Sequence, residues 1–175
     1  MDEYGVVTEP GTVRIQRVLP GPIERVWDYL TDPEKRGLWL ARGPMEPRVG
    51  GRVELAFDNA GLSPDGERAP EKHRAHECTG SSQGEVTVWE PPYRLAYTWS
   101  GGSEVSFELA PEGREVRLVL THQRLAGRGQ VLRVAAGWRP HVGLPPDLLP
   151  GPAPGPLWST HTRLEREYDR LLPAA

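Results

Sequence analysis

Between Val86 and Thr121 the side chains alternate apolar and polar in four successive runs, and a few turn-forming residues separate each run from the next. Val86 and Val88 alternate with Thr87 and Trp89. Leu95, Tyr97 and Trp99 alternate with Arg94, Ala96 and Thr98. Val105, Phe107 and Leu109 alternate with Glu104, Ser106 and Glu108, and Val116, Leu118 and Leu120 with Arg117, Val119 and Thr121. Glu90-Pro-Pro92, Ser100-Gly-Gly102 and Pro111-Glu-Gly113 stand between them. A period of two sends successive side chains to opposite faces of a strand, and connections this short join antiparallel neighbours. One apolar face per strand means a sheet covered on one side and wet on the other. The cover has to come from elsewhere in the chain.

Two earlier runs share the pattern. In Thr12–Leu19, Val13 and Ile15 face one way and Thr12, Arg14 and Gln16 the other; Val53, Leu55 and Phe57 alternate with Arg52, Glu54 and Ala56. Between these runs the period lengthens. Ile23, Val26, Trp27 and Leu30 recur at helical spacing behind Pro22, and Asp32 before Pro33 is placed to cap a second short helix reaching about Leu40. Asp58–Gln83 is polar and rich in Gly, Pro and Ser. It reads as a mobile connection, with an irregular strand around 73–79. After Gly127, Val131, Val134, Ala135, Trp138 and Val142 sit at helical spacing, but Pro140 and Pro145-Pro146 must kink or end that helix. Gly151-Pro-Ala-Pro-Gly-Pro156 reads as a stiff linker, and Trp158, Leu164, Tyr168 and Leu171 as a last amphipathic helix over 158–172. The expectation is one α+β domain across 1–175, with its core at about 11–149 and a linker and helix at 150–175. About six antiparallel strands curve around a C-terminal helix that the prolines break into two segments, and two short helices follow the first strand.

Composition excludes several partners. The 175 residues carry a formal charge of −3 with a pI near 6.0, so a phosphate backbone is not the expected partner. No 18-residue apolar run is present to cross a membrane, and the acidic start MDEYGVVTEPG is not a secretory signal. Cys78 is the single cysteine, which rules out an internal disulfide and points to the cytoplasm. All but Lys35 and Lys72 of the 21 basic residues are Arg, a skew expected of a GC-rich bacterial genome.

Several residues are candidates for chemistry. His122 continues the phase of Val116, Leu118 and Leu120, so it points at the covered face, where a polar group needs a partner; Arg124 is next in that phase. Trp39, Phe57, Trp99, Phe107 and Trp138 could line an apolar pocket, and His141 follows Trp138 by about one helical turn. His73, His76 and Cys78 are metal-ligating types in an H-x-x-H-x-C spacing that matches no structural zinc pattern, so a solvated loop is expected and no metal is assigned. Glu104 and Glu108 fall on the wet face as solubilising charge. Gly127-Arg-Gly129 lacks the further glycines of a phosphate loop, and neither G-x-S-x-G nor H-E-x-x-H occurs. No cofactor and no catalytic residue are assigned.

In this order the motifs resemble the START-like (SRPBCC, helix-grip) superfamily, and within it bacterial proteins named for the activator of Hsp90 ATPase homologue C-terminal domain. The residues that carry the resemblance are Pro22-Ile-Glu-Arg-Val-Trp27, Leu30-Thr-Asp-Pro33, Gly50-Gly51 and Gly84-Glu-Val86. They continue with Glu90-Pro-Pro-Tyr-Arg-Leu95, Thr98-Trp99, Leu118-Val-Leu-Thr-His122 and Ala136-Gly-Trp138. The resemblance covers about 11–149 and implies β-α-α-β-β-β-β-β-α with the sheet gripping the last helix. It departs at Pro140, Pro145 and Pro146, where relatives carry helix formers. An apolar sheet face closed by an aromatic-bearing helix is expected to hold a small hydrophobic or amphipathic ligand, with Trp39, Phe57, Trp99, Phe107, His122, Trp138 and His141 as the expected binding residues. A homodimer is allowed. Two other functions are compatible with the resemblance. One is a cyclase, lyase or hydrolase using His122, with His141 or Arg124. The other is a co-chaperone-like ATPase activator, for which the chain lacks room for the separate N-terminal domain of the eukaryotic proteins.

Overall fold

In the computed structural model, which describes residues 6–58, 71, 80–142 and 157–171, the chain crosses its own sheet early and then walks back. Strands β1 (Val6–Glu9) and β2 (Thr12–Pro20) form a hairpin, and helices α1 (Ile23–Thr31) and α2 (Pro33–Gly37) carry the chain to the opposite edge. There β3 (Arg52–Phe57) starts the return through β4 (Gly80–Glu90), β5 (Arg94–Thr98), β6 (Glu104–Glu112) and β7 (Glu115–Gln123). β7 pairs with β2, giving one seven-stranded sheet in the order β1-β2-β7-β6-β5-β4-β3 with every pairing antiparallel. The two-period runs thus form the expected α+β sheet, and β1 extends it at one edge. The covered face is then closed by α1 together with α3 (Gly127–Val142), and α4 (Leu157–Leu171) packs on α3.

Register arranges the covered side chains in rows across the strands. Val13, His122, Val105, Tyr97 and Val86 form one row; Ile15, Leu120, Phe107, Leu95 and Trp89 form the next. Val86 and Trp89 share this face because a bulge interrupts the β4–β5 register between Val86 and Val88. The extra residue turns Val88 to the opposite side, where the simple alternation had kept it with Val86. Trp89 then meets the edge of Trp27 from α1, ring centroids 5.3 Å apart. β4 also begins earlier than its composition suggests. Gly80-Ser-Ser-Gln83, expected in the polar connection, pairs with Phe57, Ala56, Leu55 and Glu54 of β3. Such residues are weak strand formers, and the backbone ladder of β3 holds them. Gly84 is obligatory here, since a Cβ on it would overlap the Thr98 carbonyl oxygen.

The two short helices are built as their sequence indicates. α1 buries Ile23, Val26, Trp27, Tyr29 and Leu30. The Asp32 carboxylate caps α2 by accepting the Glu34 and Lys35 N–H groups at 2.9 Å each. α2 is shorter than expected, because Trp39, Leu40 and Ala41 all donate back to the single carbonyl of Arg36 and tighten the chain into a turn. The Arg36 side chain is wholly buried (0 % exposed). Its Nε donates to Ala41 O at 3.0 Å, Nη1 to Thr31 O at 3.4 Å, and Nη2 to the carbonyls of Gly43 and Glu54. One guanidinium therefore ties α2 and the segment after it to β3. That segment also bridges the outer edge of β3 through Arg42–Ala56 and Met45–Val53, covering a strand edge that would otherwise be open.

α3 runs to Val142, with Pro140 in its last turn. A proline there removes a late N–H, and within the described residues the helix extends only two residues beyond it. Pro145-Pro146, the Gly151–Pro156 stretch, and the expected strand at 73–79 with His73, His76 and Cys78 lie outside the described residues. α4 packs antiparallel on α3. Arg128 at the start of α3 meets Asp169 near the end of α4, Nη1 to Oδ1 at 2.7 Å and Nη2 to the backbone carbonyl at 2.9 Å, while Gly137 lies against His161. Trp158, His161, Leu164 and Tyr168 form the buried stripe of α4. No helix among the described residues is long and apolar enough to cross a membrane.

The role of Arg36 sets a prediction. Arg36→Met keeps most of the volume but leaves buried carbonyls unpaired, a loss of about 3 kcal/mol in urea unfolding. Arg36→Lys recovers little of it, because one ammonium cannot reach carbonyls spread around a planar fork.

Candidate functional site

His122 sits in the middle of a dry row, between Val13 and Val105, at 2 % exposure. A polar ring in such a place is costly unless both nitrogens are engaged. Both are. Trp138 reaches down from α3 and its Nε1–H donates to His122 Nδ1 at 2.9 Å. An indole nitrogen can only donate, so Nδ1 is the accepting nitrogen and the ring proton sits on Nε2. His122 Nε2–H then donates to Ser103 Oγ at 2.9 Å, and the Ser103 hydroxyl donates to Ser100 O at 3.1 Å. Ser103 is placed by a tight turn between β5 and β6. Trp99 N–H donates to Ser103 O at 2.7 Å, and Gly101 and Gly102 adopt φ of 75° and 78°, the left-handed region that glycine enters without strain.

The imidazole is therefore neutral and locked in one tautomer. Burial pushes its pKa down to about 4. Aromatic rings surround it: Trp99 at 5.6 Å and Trp138 at 6.0 Å between centroids, with Trp99 and Trp138 themselves 5.3 Å apart. Phe57 extends the cluster at 5.7 Å from Trp99.

Against these rings lies a pocket of about 140 Å³, lined by Leu40, Phe57, Trp99, His122, Val134, Gly137 and Trp138. Four of the expected residues, Phe57, Trp99, His122 and Trp138, thus share one wall system. Two others are packed into the core. Trp39 is buried with its Nε1–H donating to Tyr29 O at 2.7 Å, and Phe107 lies beneath Trp39 and Trp138 in edge-on contacts at 6.5 and 6.0 Å. His141 falls in the last turn of α3, where its side chain is outside the described residues. Arg124 does not continue the covered phase. β7 ends at Gln123, Arg124 turns with φ of 61°, and its exposed side chain pairs with Glu104 at 3.4 Å. Glu104, half-buried, also takes Gln123 Nε2–H at 2.8 Å, while Glu108 stays exposed beside Arg94.

Ser103, Leu40, Val134 and Gly137 complete the site and were not singled out from sequence. Ser103 had a signal, since it continues the phase of Leu109, Phe107 and Val105 one step past the strand. Val134 was in the helical pattern, but nothing in the sequence distinguishes a wall of a pocket from a packed core. Among the described residues no group of three or more His, Cys, Asp or Glu is gathered to hold a metal ion.

A curved antiparallel sheet closed by a C-terminal helix, with an apolar pocket under the grip, defines a helix-grip protein of the START-like type. The family described as "Activator of Hsp90 ATPase homolog 1-like protein" matches residues 20–142, and the chain belongs to it. The protein encoded by gene BPP1335 of Bordetella parapertussis is 40% identical over 99% of this chain and 92% of its own, with a TM-score of 0.81. CalU16 from Micromonospora echinospora shares the fold at 20% identity and a TM-score of 0.64, over 91% of this chain and 87% of that one. DynU16, from the dynemicin biosynthetic locus, shares it at 22% identity and a TM-score of 0.58, over 93% of this chain and 49% of its own length. No curated protein matches the sequence.

The depressed pKa of His122 has a consequence for stability. A histidine titrates near 6.5 in the unfolded chain and at about 4 in the fold. The unfolded chain therefore takes up the proton first. The contribution is complete above about pH 6.5 and is lost as pH falls toward 4, a total on the order of 3 kcal/mol. Urea unfolding at pH 7 and pH 4.5 should show this loss in the wild type, and His122→Gln should remove most of the slope across that window.

Proposed function

We propose that the protein binds a small hydrophobic or amphipathic molecule, holding its apolar part in the pocket between the sheet and α3. The observation that carries this reading is the pocket itself, a space of about 140 Å³ walled by Phe57, Trp99 and Trp138 with aliphatic side chains beside them. A volume of this order takes a benzene-sized guest, so the space suits one ring or a short branched chain, and the pocket opens to the surface. A larger ligand must leave its remainder beyond these walls, which fits an amphipathic molecule. Of the lining side chains, only His122 and the indoles of Trp99 and Trp138 carry polar atoms, and His122 Nδ1 is paired with Trp138 Nε1. None of these side chains is charged, so a charged group entering the pocket would meet no opposite charge and would be disfavoured.

The same pairing weighs against an enzyme built on His122. A general base needs a free lone pair within reach of the substrate, and the Nδ1 lone pair is taken by Trp138. ATPase activation rests on the family's description alone and is not advanced. The reading takes residues 1–175 as one binding domain acting in the cytoplasm, in keeping with the single Cys78.

Thermal-shift titration with toluene and cyclohexane tests the pocket. Saturating ligand should raise Tm by a few degrees, as a guest that binds only the folded state must. Val134→Phe fills the pocket from a half-buried position on α3, and should keep the fold while abolishing the shift.

A further inference from the structure

Gly137 is out of place by the rules that otherwise govern α3. Glycine is the poorest helix former after proline, and inside a helix it is explained most simply by a positive φ or a close neighbour that demands it. Neither holds here. Gly137 keeps helical backbone and is not among the glycines with positive φ. A Cβ built on it would meet only the edge of the His161 ring, Nε2 at 3.8 Å and Cδ2 at 4.0 Å, which is ordinary van der Waals contact. Gly84 differs, since a Cβ there would overlap a carbonyl oxygen. The turn that holds Gly137 also lacks the bond that Pro140 cannot make to the Ala136 carbonyl. An alanine would strengthen a turn already short of one hydrogen bond.

What Gly137 does border is the pocket. Val134, Gly137 and Trp138 together span about 100° of the circumference of α3, and all three line the space. A side chain at 137 would therefore leave the helix on the side that bounds the pocket. Among the described residues its Cβ would find no atoms within 4 Å except those of His161, so the room beside Gly137 is open on its other sides. In a space of about 140 Å³, one methyl group is a large share. Resting on the binding reading above, we infer that Gly137 is a specificity-determining residue. The side chain it lacks is room that the ligand fills, and the position sets how large an apolar group the pocket accepts.

Gly137→Ala tests this with benzene and toluene, which differ by one methyl group. Without ligand the variant should unfold about 2 °C above the wild type, because alanine is the better helix former. Its affinity for toluene should fall about tenfold, the effect of one carbon too many in a small apolar pocket. Benzene should lose little, because the alanine methyl stands where that guest has none. The toluene-to-benzene affinity ratio therefore falls about tenfold. Gly129→Ala is the control. Gly129 also lies in α3, its Cβ would meet nothing within 4 Å, and it does not line the pocket, so the ratio should stay as in the wild type. An unchanged ratio in Gly137→Ala overturns the inference, and so does an equal loss for both guests, which a stiffened turn alone would give. A ratio that falls as far in Gly129→Ala overturns it too. A lower Tm for ligand-free Gly137→Ala does the same, since packing would then require the glycine. Failure of both guests to bind the wild type overturns the binding reading itself, and this inference with it.

Discussion

The hydrogen bond from Trp138 to His122 is the contact on which the arrangement of the grip depends. A histidine flanked by Val13 and Val105 in a dry row is tolerable only if each ring nitrogen has a partner. Ser103, delivered from below by the two-glycine turn, satisfies one nitrogen. The other faces the covering helix, and only a donor can meet it. Trp138 therefore has to point down at this place, which fixes the rotation of α3 about its own axis. Once α3 is so rotated, Val134, one turn before Trp138, and Gly137, the residue next to it, border the space beside the indole. The pocket is a consequence of where the pin falls.

Pinning and holding are separate tasks. Burying an indole removes roughly 150–250 Å² from water, about 4–6 kcal/mol, whereas a single net hydrogen bond contributes about 1 kcal/mol. Burial therefore keeps α3 on the sheet, but it is nearly indifferent to small rotations of the helix. The hydrogen bond is the weaker term and the directional one, so it selects among them. The edge-on contact of Trp138 with Trp99 and Phe107 works in the same sense, since such ring pairs lose energy when turned face to face.

How much of this could be read from the chain follows from which signals are local. The strands of the sheet were legible because a two-residue period survives any tertiary context, and α1 and the Asp32 cap because helical spacing and an Asx-Pro start are local chemistry. His122 was legible as a buried polar residue for the same reason. What period alone could not convey was partnership. Nothing near Arg36 in sequence indicates that its guanidinium is buried among carbonyls from three segments, and β4 begins at Gly80 only because β3 offers it a ladder. The bulge in β4 defeats alternation in a single step, exchanging Val88 for Trp89 on the covered face. At Arg124 alternation fails in the opposite way: the period runs on past the end of β7, but the residue's positive φ turns its side chain out to Glu104.

The prolines of the C-terminal region bear on the grip in a way that energetics clarifies. Pro140 cannot donate to the carbonyl of Ala136, so the turn it loosens is the one that carries Gly137 and Trp138, one turn past Val134. A proline in the last turn removes a hydrogen bond that is weakly held in any helix end, at far less cost than the ~3 kcal/mol of an interior site. The turns of α3 before Ala136 are untouched by it. α4 braces those turns from outside: its buried stripe packs along α3, and Arg128 closes on both the carboxylate and the carbonyl of Asp169. A lid made of two short helices, one carrying the pin and the other its weight, tolerates a proline cluster that a single long gripping helix could not.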